Sequence, residues 1–296
     1  RVPRPPAHGL VKDSGLEVAL GEQLDRGPGG VTKDGTRIVA IRTLSGKVYS
    51  AKVFIDASYV GDLMAAAGVS YAVGREPNAL HGETLNGMQR GDDKPRRHYT
   101  QGDKDHFIKD VDPYVKPGDP ASGLIFGVQP GGPGEVGVGD ARVQAYCYRM
   151  TLTNDPANRV PIEKPAGFNP LWHEVLVRTL QLAPDTPLQK IISLTPMPNR
   201  KTDTNQVNLI GGNRDYQTAS HRERERLDRM HRDFAVGMLW VLANDERVPW
   251  AIREEMKPWG WPRDEFTDNG NFPHQLYIRE ARRMRGAFIM KEENLR

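Results

Sequence analysis

A continuous apolar run, Val53-Phe54-Ile55, ends abruptly in Asp56-Ala57-Ser58. A strand that faces water on one side alternates apolar and polar residues, whereas a strand covered on both faces reads as an unbroken apolar run. Val53–Ile55 therefore predicts a strand inside a covered sheet, emerging at an edge where small residues leave room for a ligand. Upstream, Arg37–Thr43, the turn around Ser45-Gly46 and Val48–Asp56 read as strand, turn and strand. Downstream, Asp62 is placed to cap a short helix over 63–67, which Gly68 stops with a left-handed residue. These elements together predict an α/β chain.

From Pro77 to Pro120 the sequence is polar, rich in Gly, Asp, Lys and Arg, and without periodicity, so a second domain or large insertion begins there. The glycine-rich stretch 127–139 leads into Ala141–Thr153, where Val143, Ala145 and Cys147 alternate with Gln144, Tyr146 and Tyr148 as in a strand. Pro170 opens a helix from Leu171 to about Leu182. The clearest helix starts at Ser220, whose spacing to Glu223 forms a capping box, and runs to about Ala243. Leu227, Met230, Phe234, Met238 and Val241 make its apolar stripe, and Arg224/Asp228, Glu225/Arg229 and Arg229/Asp233 make its solvated face.

Several function classes are excluded by charge and composition. The 41 basic and 38 acidic residues are interspersed and leave a net charge of +3, without the concentrated basic face that nucleic-acid binding needs. No apolar run is long enough for a membrane-spanning helix. Cys147 is the single cysteine, so the chain alone can build neither a disulfide, an iron-sulfur cluster nor a cysteine zinc site. His98, His106, His173, His221, His231 and His274 show no metal-ligand spacing, and no metal is expected. Arg1 stands where an initiator Met or signal segment is expected, so the natural N-terminus is expected upstream, and compartment and oligomeric state stay open.

A pyrophosphate loop needs glycines after a strand and before a helix; Gly134-x-x-Gly137-x-Gly139 has them in reversed spacing ahead of strand-like sequence. Arg279, Arg282 and Arg283 share a face if their segment is helical, which suits a clamp on a carboxylate or phosphate; the plain alternative is a solvated face with Glu280 paired to Arg283. Lys201, Asp203 and Asn205 alternate along an extended run and suit either a hydroxyl-rich ligand or an internally satisfied loop. Trp250, Trp259, Trp261, Phe266 and Phe272 form either a stacking platform for a sugar or pins holding a long loop to the core.

The segment V-F-I-D-A-S-Y-V-G-D-L-M-A-A-A-G-V-S-Y-A-V-G-R-E, residues 53–76, resembles FAD-dependent oxidoreductases of the glutathione-reductase-like group. Their pattern runs Ile-Asp-Ala-Thr, a short spacer, Gly-Asp-Leu, an Ala-rich helix and Gly. Gln144–Arg149, Lys201–Asn205, Ala243–Pro249, Asp264–Asp268 and Tyr277–Arg283 are similar to a bacterial branch of the same family, and the resemblance runs from about Glu22 onward. With the N-terminal Gly-x-Gly-x-x-Gly loop and the C-terminal flavin-closing segment of that group both missing, the resemblance implies an internal fragment, expected to hold FAD poorly by itself. The resemblance implies a partial Rossmann-like FAD domain over 1–75, a mixed α+β substrate domain over 76–273 and a return toward the FAD domain over 274–296.

The resemblance further implies FAD as cofactor, with Asp56, Ala57, Ser58, Gly61 and Asp62 beside it. It implies a small organic substrate near Arg279, Arg282, Arg283, Lys201, Asp203 and Asn205, and hydride transfer between that substrate and the flavin. His98, His274 and Glu83 are candidate bases by residue type alone. The competing readings are a heterodisulfide-reductase-like electron-transfer subunit, which a single cysteine argues against, and a non-catalytic carbohydrate-binding module using the Trp-rich loop.

Overall fold

A computed structural model describes residues 11, 13–89, 111–131 and 134–295. The chain forms two compact units, Arg1–Tyr71 and Ala72–Arg296.

In the first unit the strands Val31–Asp34, Arg37–Arg42 and Val48–Ser50 make an antiparallel meander in chain order. Asp34 pairs with Arg37 across a two-residue turn in which Gly35 takes φ 60°, a left-handed value that costs glycine little. A bulge between Thr32 and Lys33 breaks the regular register. The Lys33 ammonium donates to the Ala67 carbonyl at 2.8 Å, tying the meander to the end of the short helix Asp62–Ala66.

Val53–Ile55 departs from expectation. The run is not a strand among the described residues, and Val53 is 74% and Ile55 82% exposed. A strand exists only where a neighbour takes up its N–H and C=O groups. The meander ends at Ser50, and no described segment pairs with residues 53–55.

The second unit is built around the 24-residue helix His221–Asn244. Ser220 Oγ accepts from the Glu223 N–H at 3.1 Å as the capping box predicts, but the Glu223 carboxylate turns to Arg226 at 2.7 Å, so half of the box forms. Leu227, Phe234, Met238 and Val241 are buried as the stripe predicts; His231, Ala235, Leu239 and Leu242 are buried as well, so the helix is enclosed on most of its circumference. Arg224, expected on the solvated face, is 8% exposed and donates to the Tyr216 carbonyl at 2.9 Å and the Gln217 carbonyl at 2.8 Å. Its stem covers apolar surface while its head satisfies two loop carbonyls, a use that charge spacing does not reveal.

Around this helix lie the helices Glu174–Leu182 and Trp250–Met256 and small antiparallel pairings. Cys147–Tyr148 pairs with Leu276–Tyr277, Arg159–Val160 with Trp261–Pro262, and Thr195–Met197 with Lys201–Asp203. The strand expected over 141–153 contracts to Cys147–Tyr148 plus isolated bridges from Met150 to Thr204 and from Thr153 to Lys201 and Gly260. Tyr146, Cys147, Tyr148, Met150 and Leu152 are all buried, so this run passes through the core and does not present one face to water. The unit is therefore a mixture of helices and small sheets held by loop contacts.

The glycine-rich stretch allows backbones to meet. A Cβ at Gly137 would lie 2.6 Å from Asn78 Nδ2, and one at Gly139 would lie 2.6 Å from the Arg75 carbonyl. Met88 bonds both ways there, its N–H to the Val138 carbonyl at 2.9 Å and its carbonyl from the Gly137 N–H at 2.8 Å. The aromatic loop packs inward: Trp261 and Phe272 are buried with ring centroids 5.4 Å apart, and Phe272 meets Tyr148 at 4.8 Å. Trp250 alone of the five rings is strongly exposed, so they do not form one stacking platform. No described helix is long and apolar enough to cross a membrane.

Candidate functional site

One carboxylate organises the turn in the first unit. Asp56 Oδ1 accepts from Ser58 Oγ at 2.6 Å and from the Ser58 N–H at 3.0 Å, while Oδ2 accepts from the Met64 N–H at 3.0 Å. That N–H belongs to the first turn of the Asp62–Ala66 helix, where donors lack partners within the helix, so Asp56 caps from outside. Asp62, expected to cap, lies buried inside the first turn with Arg26 Nη1 at 3.3 Å. Gly61 takes the cap position at φ 65°, and a Cβ there would lie 2.9 Å from Met64 Cε. Gly68 ends the helix as predicted, with φ 76° and the Val69 N–H on the Met64 carbonyl at 3.2 Å.

Burial pushes the Asp56 carboxyl up, but the bonds from Ser58 Oγ and from the N–H groups of Met64, Ser58 and Leu63 outweigh it and hold the group below its ordinary value. A carboxylate depressed on folding stabilises above its unfolded pKa and loses that contribution as pH falls through the folded value. Asp56→Ala is expected to cost about 1 kcal/mol in urea unfolding at pH 7, the usual worth of a helix cap. An unchanged midpoint would show that the turn does not depend on this cap.

Ser58 Oγ also accepts from the Gly61 N–H at 3.1 Å, so the hydroxyl expected to face a ligand is used within the turn. What the turn offers instead is shape. Ala57 and Ser58 are small and exposed, and the exposed Val53 and Ile55 side chains precede them. Small side chains and approachable backbone thus stand beside exposed apolar side chains.

In the second unit the arginine run is not helical, since residues 278–282 carry no regular element and Arg283–Met284 is a short strand, which corrects the helical face. Arg279 donates to the Ala145 carbonyl at 2.8 Å, Asn208 Oδ1 at 2.6 Å and the Asn205 carbonyl at 3.0 Å. Arg282 donates to the Gln217 carbonyl, and Arg283 to Glu280 and, at 2.5 Å, to the Gly74 carbonyl. With few ladders in the unit, loop carbonyls need other donors, and these guanidinium groups supply them. They do not share a helical face on which to converge.

Lys201 is buried, with Nζ 2.9 Å from Asp264 Oδ2 and in contact with Glu265. Burial pushes its pKa down, but the two carboxylates outweigh that and raise it. Asp203 pairs with Arg149, and the Asn205 carbonyl accepts from Cys147 Sγ at 3.0 Å as well as from Arg279. Among the candidate bases, Glu83 accepts from the Glu292 N–H at 2.8 Å and from Asn86. His274 is exposed, with Nε2 3.0 Å from Asp268 Oδ1. His98 lies outside the described residues.

The sequence reading missed a polar cluster beside a pocket. The buried Tyr146 hydroxyl donates to the Glu280 carbonyl at 2.5 Å and accepts from Gln217 Nε2 at 3.0 Å, and burial pushes its phenol up to about 12. Asn213, also buried, donates to the Gln144 carbonyl at 2.8 Å. It lines a pocket of about 150 Å³ together with Val143, Ala145, Ile210 and Gly211. The one sequence signal for this place is Gly211-Gly212 directly before Asn213-Arg214, a tight turn delivering polar side chains.

The family model described as FAD dependent oxidoreductase matches residues 6–296. No curated protein and no solved structure matches the chain. With the match running over nearly its whole length, the chain belongs to the FAD dependent oxidoreductase family and is an FAD-binding oxidoreductase.

Proposed function

We propose that the enzyme transfers a hydride between a small organic substrate and the flavin, with the Asp56 turn as one wall of the cofactor site in a Rossmann-like domain of the glutathione-reductase type. The observation that carries this reading is the turn itself: an ionised Asp56 fixes its backbone, and small exposed residues stand where a ring can approach. Asp56, Ala57, Ser58 and Gly61 would hold the flavin, while Asp62 supports them indirectly through Arg26. When bound, FAD supplies the redox chemistry, and the chain binds, orients and shields.

On this reading residues 76–273 form the substrate domain. Lys201 and Asp203 act by bracing, through their ion pairs, the loops that shape it. Arg279, Arg282, Arg283 and Asn205 brace through carbonyl contacts. The electron-transfer alternative requires clusters that one cysteine does not ligate.

The two are separated by loading the full-length enzyme with 5-deaza-FAD, which carries hydrides but does not pass single electrons efficiently. Reduction of this form by an organic substrate that also bleaches the FAD form is the expected result. Loss of reduction in the deaza form alone would favour electron transfer.

A further inference from the structure

We infer that the pocket beside Asn213 binds a carboxylate carried on a ring-sized apolar body. Size sets the first limit, since a pocket of about 150 Å³, open to solvent on one side, has room for about one ring. Chemistry sets the second. Val143, Ala145 and Ile210 on its lining suit an apolar body, and Arg142 and Arg214 also line the pocket, with Gln129 and Asn213 as neutral polar neighbours. No carboxylate lines it.

Neither guanidinium is fully engaged by an acid. Arg142 Nε stands 3.7 Å from Asp140 Oδ2, too far for a good hydrogen bond, while Asp140 is held by Arg75 through Nε at 2.9 Å and a second, closer contact. Arg214 Nη2 donates at 2.5 Å to Gln129 Oε1, a neutral partner that orients the guanidinium without neutralising it. Gly211 also lines the pocket, at φ 78°, and a Cβ there would lie 3.2 Å from Gln129 Nε2. Two arginines on one small, largely apolar pocket thus favour an anion whose remainder is apolar.

This assignment does not depend on the hydride-transfer reading, because binding is measured without turnover. Benzoate is the probe, with benzamide as its uncharged counterpart and inorganic phosphate as an anion without an apolar body, each titrated calorimetrically into the full chain. Benzoate is expected to bind saturably and roughly tenfold or more tighter than benzamide, the worth of one charge-assisted contact. Arg214→Gln and Arg142→Gln are each expected to erase that preference. Ile210→Trp, at an exposed pocket residue, fills the space without touching either charge and is expected to abolish binding. Equal affinity for benzoate and benzamide, displacement of benzoate by phosphate at similar concentration, or benzoate binding unchanged in Ile210→Trp would each overturn the assignment.

Discussion

Replacing Arg279 with methionine is expected to destabilise the protein by about 2–5 kcal/mol, because the carbonyls of Ala145 and Asn205 each lose a charge-assisted donor worth roughly 1–3 kcal/mol. Methionine keeps most of the stem's apolar contact, so the loss reports the guanidinium. Arg279→Lys is expected to recover only part of it. An ammonium on a single stem does not span Ala145, Asn205 and Asn208 in one plane as a guanidinium does. Urea unfolding is the measurement, with the midpoint compared at constant slope. A midpoint within about 0.5 kcal/mol of wild type would place Arg279 among ordinary surface residues and restore the anion-clamp reading. Ala145 also lines the pocket, so the same variant is expected to weaken benzoate binding.

The second large effect is with pH. His173 is 2% exposed and lies between Phe168 and Phe234, with ring centroids at 5.5 and 5.1 Å, and neither ring nitrogen has a hydrogen-bond partner. Burial holds its pKa down at about 4, against an ordinary 6.5. As pH falls through 6.5 the unfolded chain takes up a proton, while the folded protein does so only near 4. Between these values the unfolded state binds more protons, so stability falls with pH, by up to about 3 kcal/mol at pH 4.

Above pH 7 the ring is neutral in both states and adds no slope. His173→Leu removes the titration and two unpartnered nitrogens, and is expected to flatten the decline in melting temperature between pH 6.5 and 4. A decline as steep as wild type would assign the acid sensitivity elsewhere. The Asp56 contribution is lost below about pH 4, near and beneath the usual aspartate value, so the two effects occupy different windows.

Local chemistry was legible in part: the cap expected at Asp62 falls to Gly61, and Glu223 turns to Arg226 instead of closing its box. The Ser220 cap, the Gly68 stop and the Ser45-Gly46 turn each depend on one or two neighbouring residues, a hydroxyl at 220 and positive-φ glycines at 46 and 68. The resemblance of residues 53–76 likewise pointed to the correct family. What periodicity did not show is which charged residues are consumed by distant carbonyls. Arg224 and Arg279 look alike in sequence to solvated arginines, yet Arg279 reaches 134 residues away to Ala145. The helical face drawn through Arg279, Arg282 and Arg283 failed because the segment is not helical, so residues three and four apart are not brought to one side.

Val53–Ile55 failed for the converse reason, since an apolar pattern states what a strand needs and not whether its neighbours are present. The pocket stayed hidden because its walls come from three separate stretches, around 129, 142–145 and 210–214. Such a meeting is decided by packing and leaves no spacing to read.

The most direct test of the central claim is the flavin content of full-length protein carrying Gly61→Val, read from visible absorbance and compared with wild type at matched folded concentration. Valine at φ 65° is strained, and its Cβ meets Met64, so the turn must shift without loss of the hydrophobic core. Wild type is expected to hold FAD and the variant to bind it roughly tenfold or more weakly, while both melt as cooperative folds. Equal FAD affinity in a folded Gly61→Val protein would show that the Asp56–Asp62 turn is not a wall of the cofactor site.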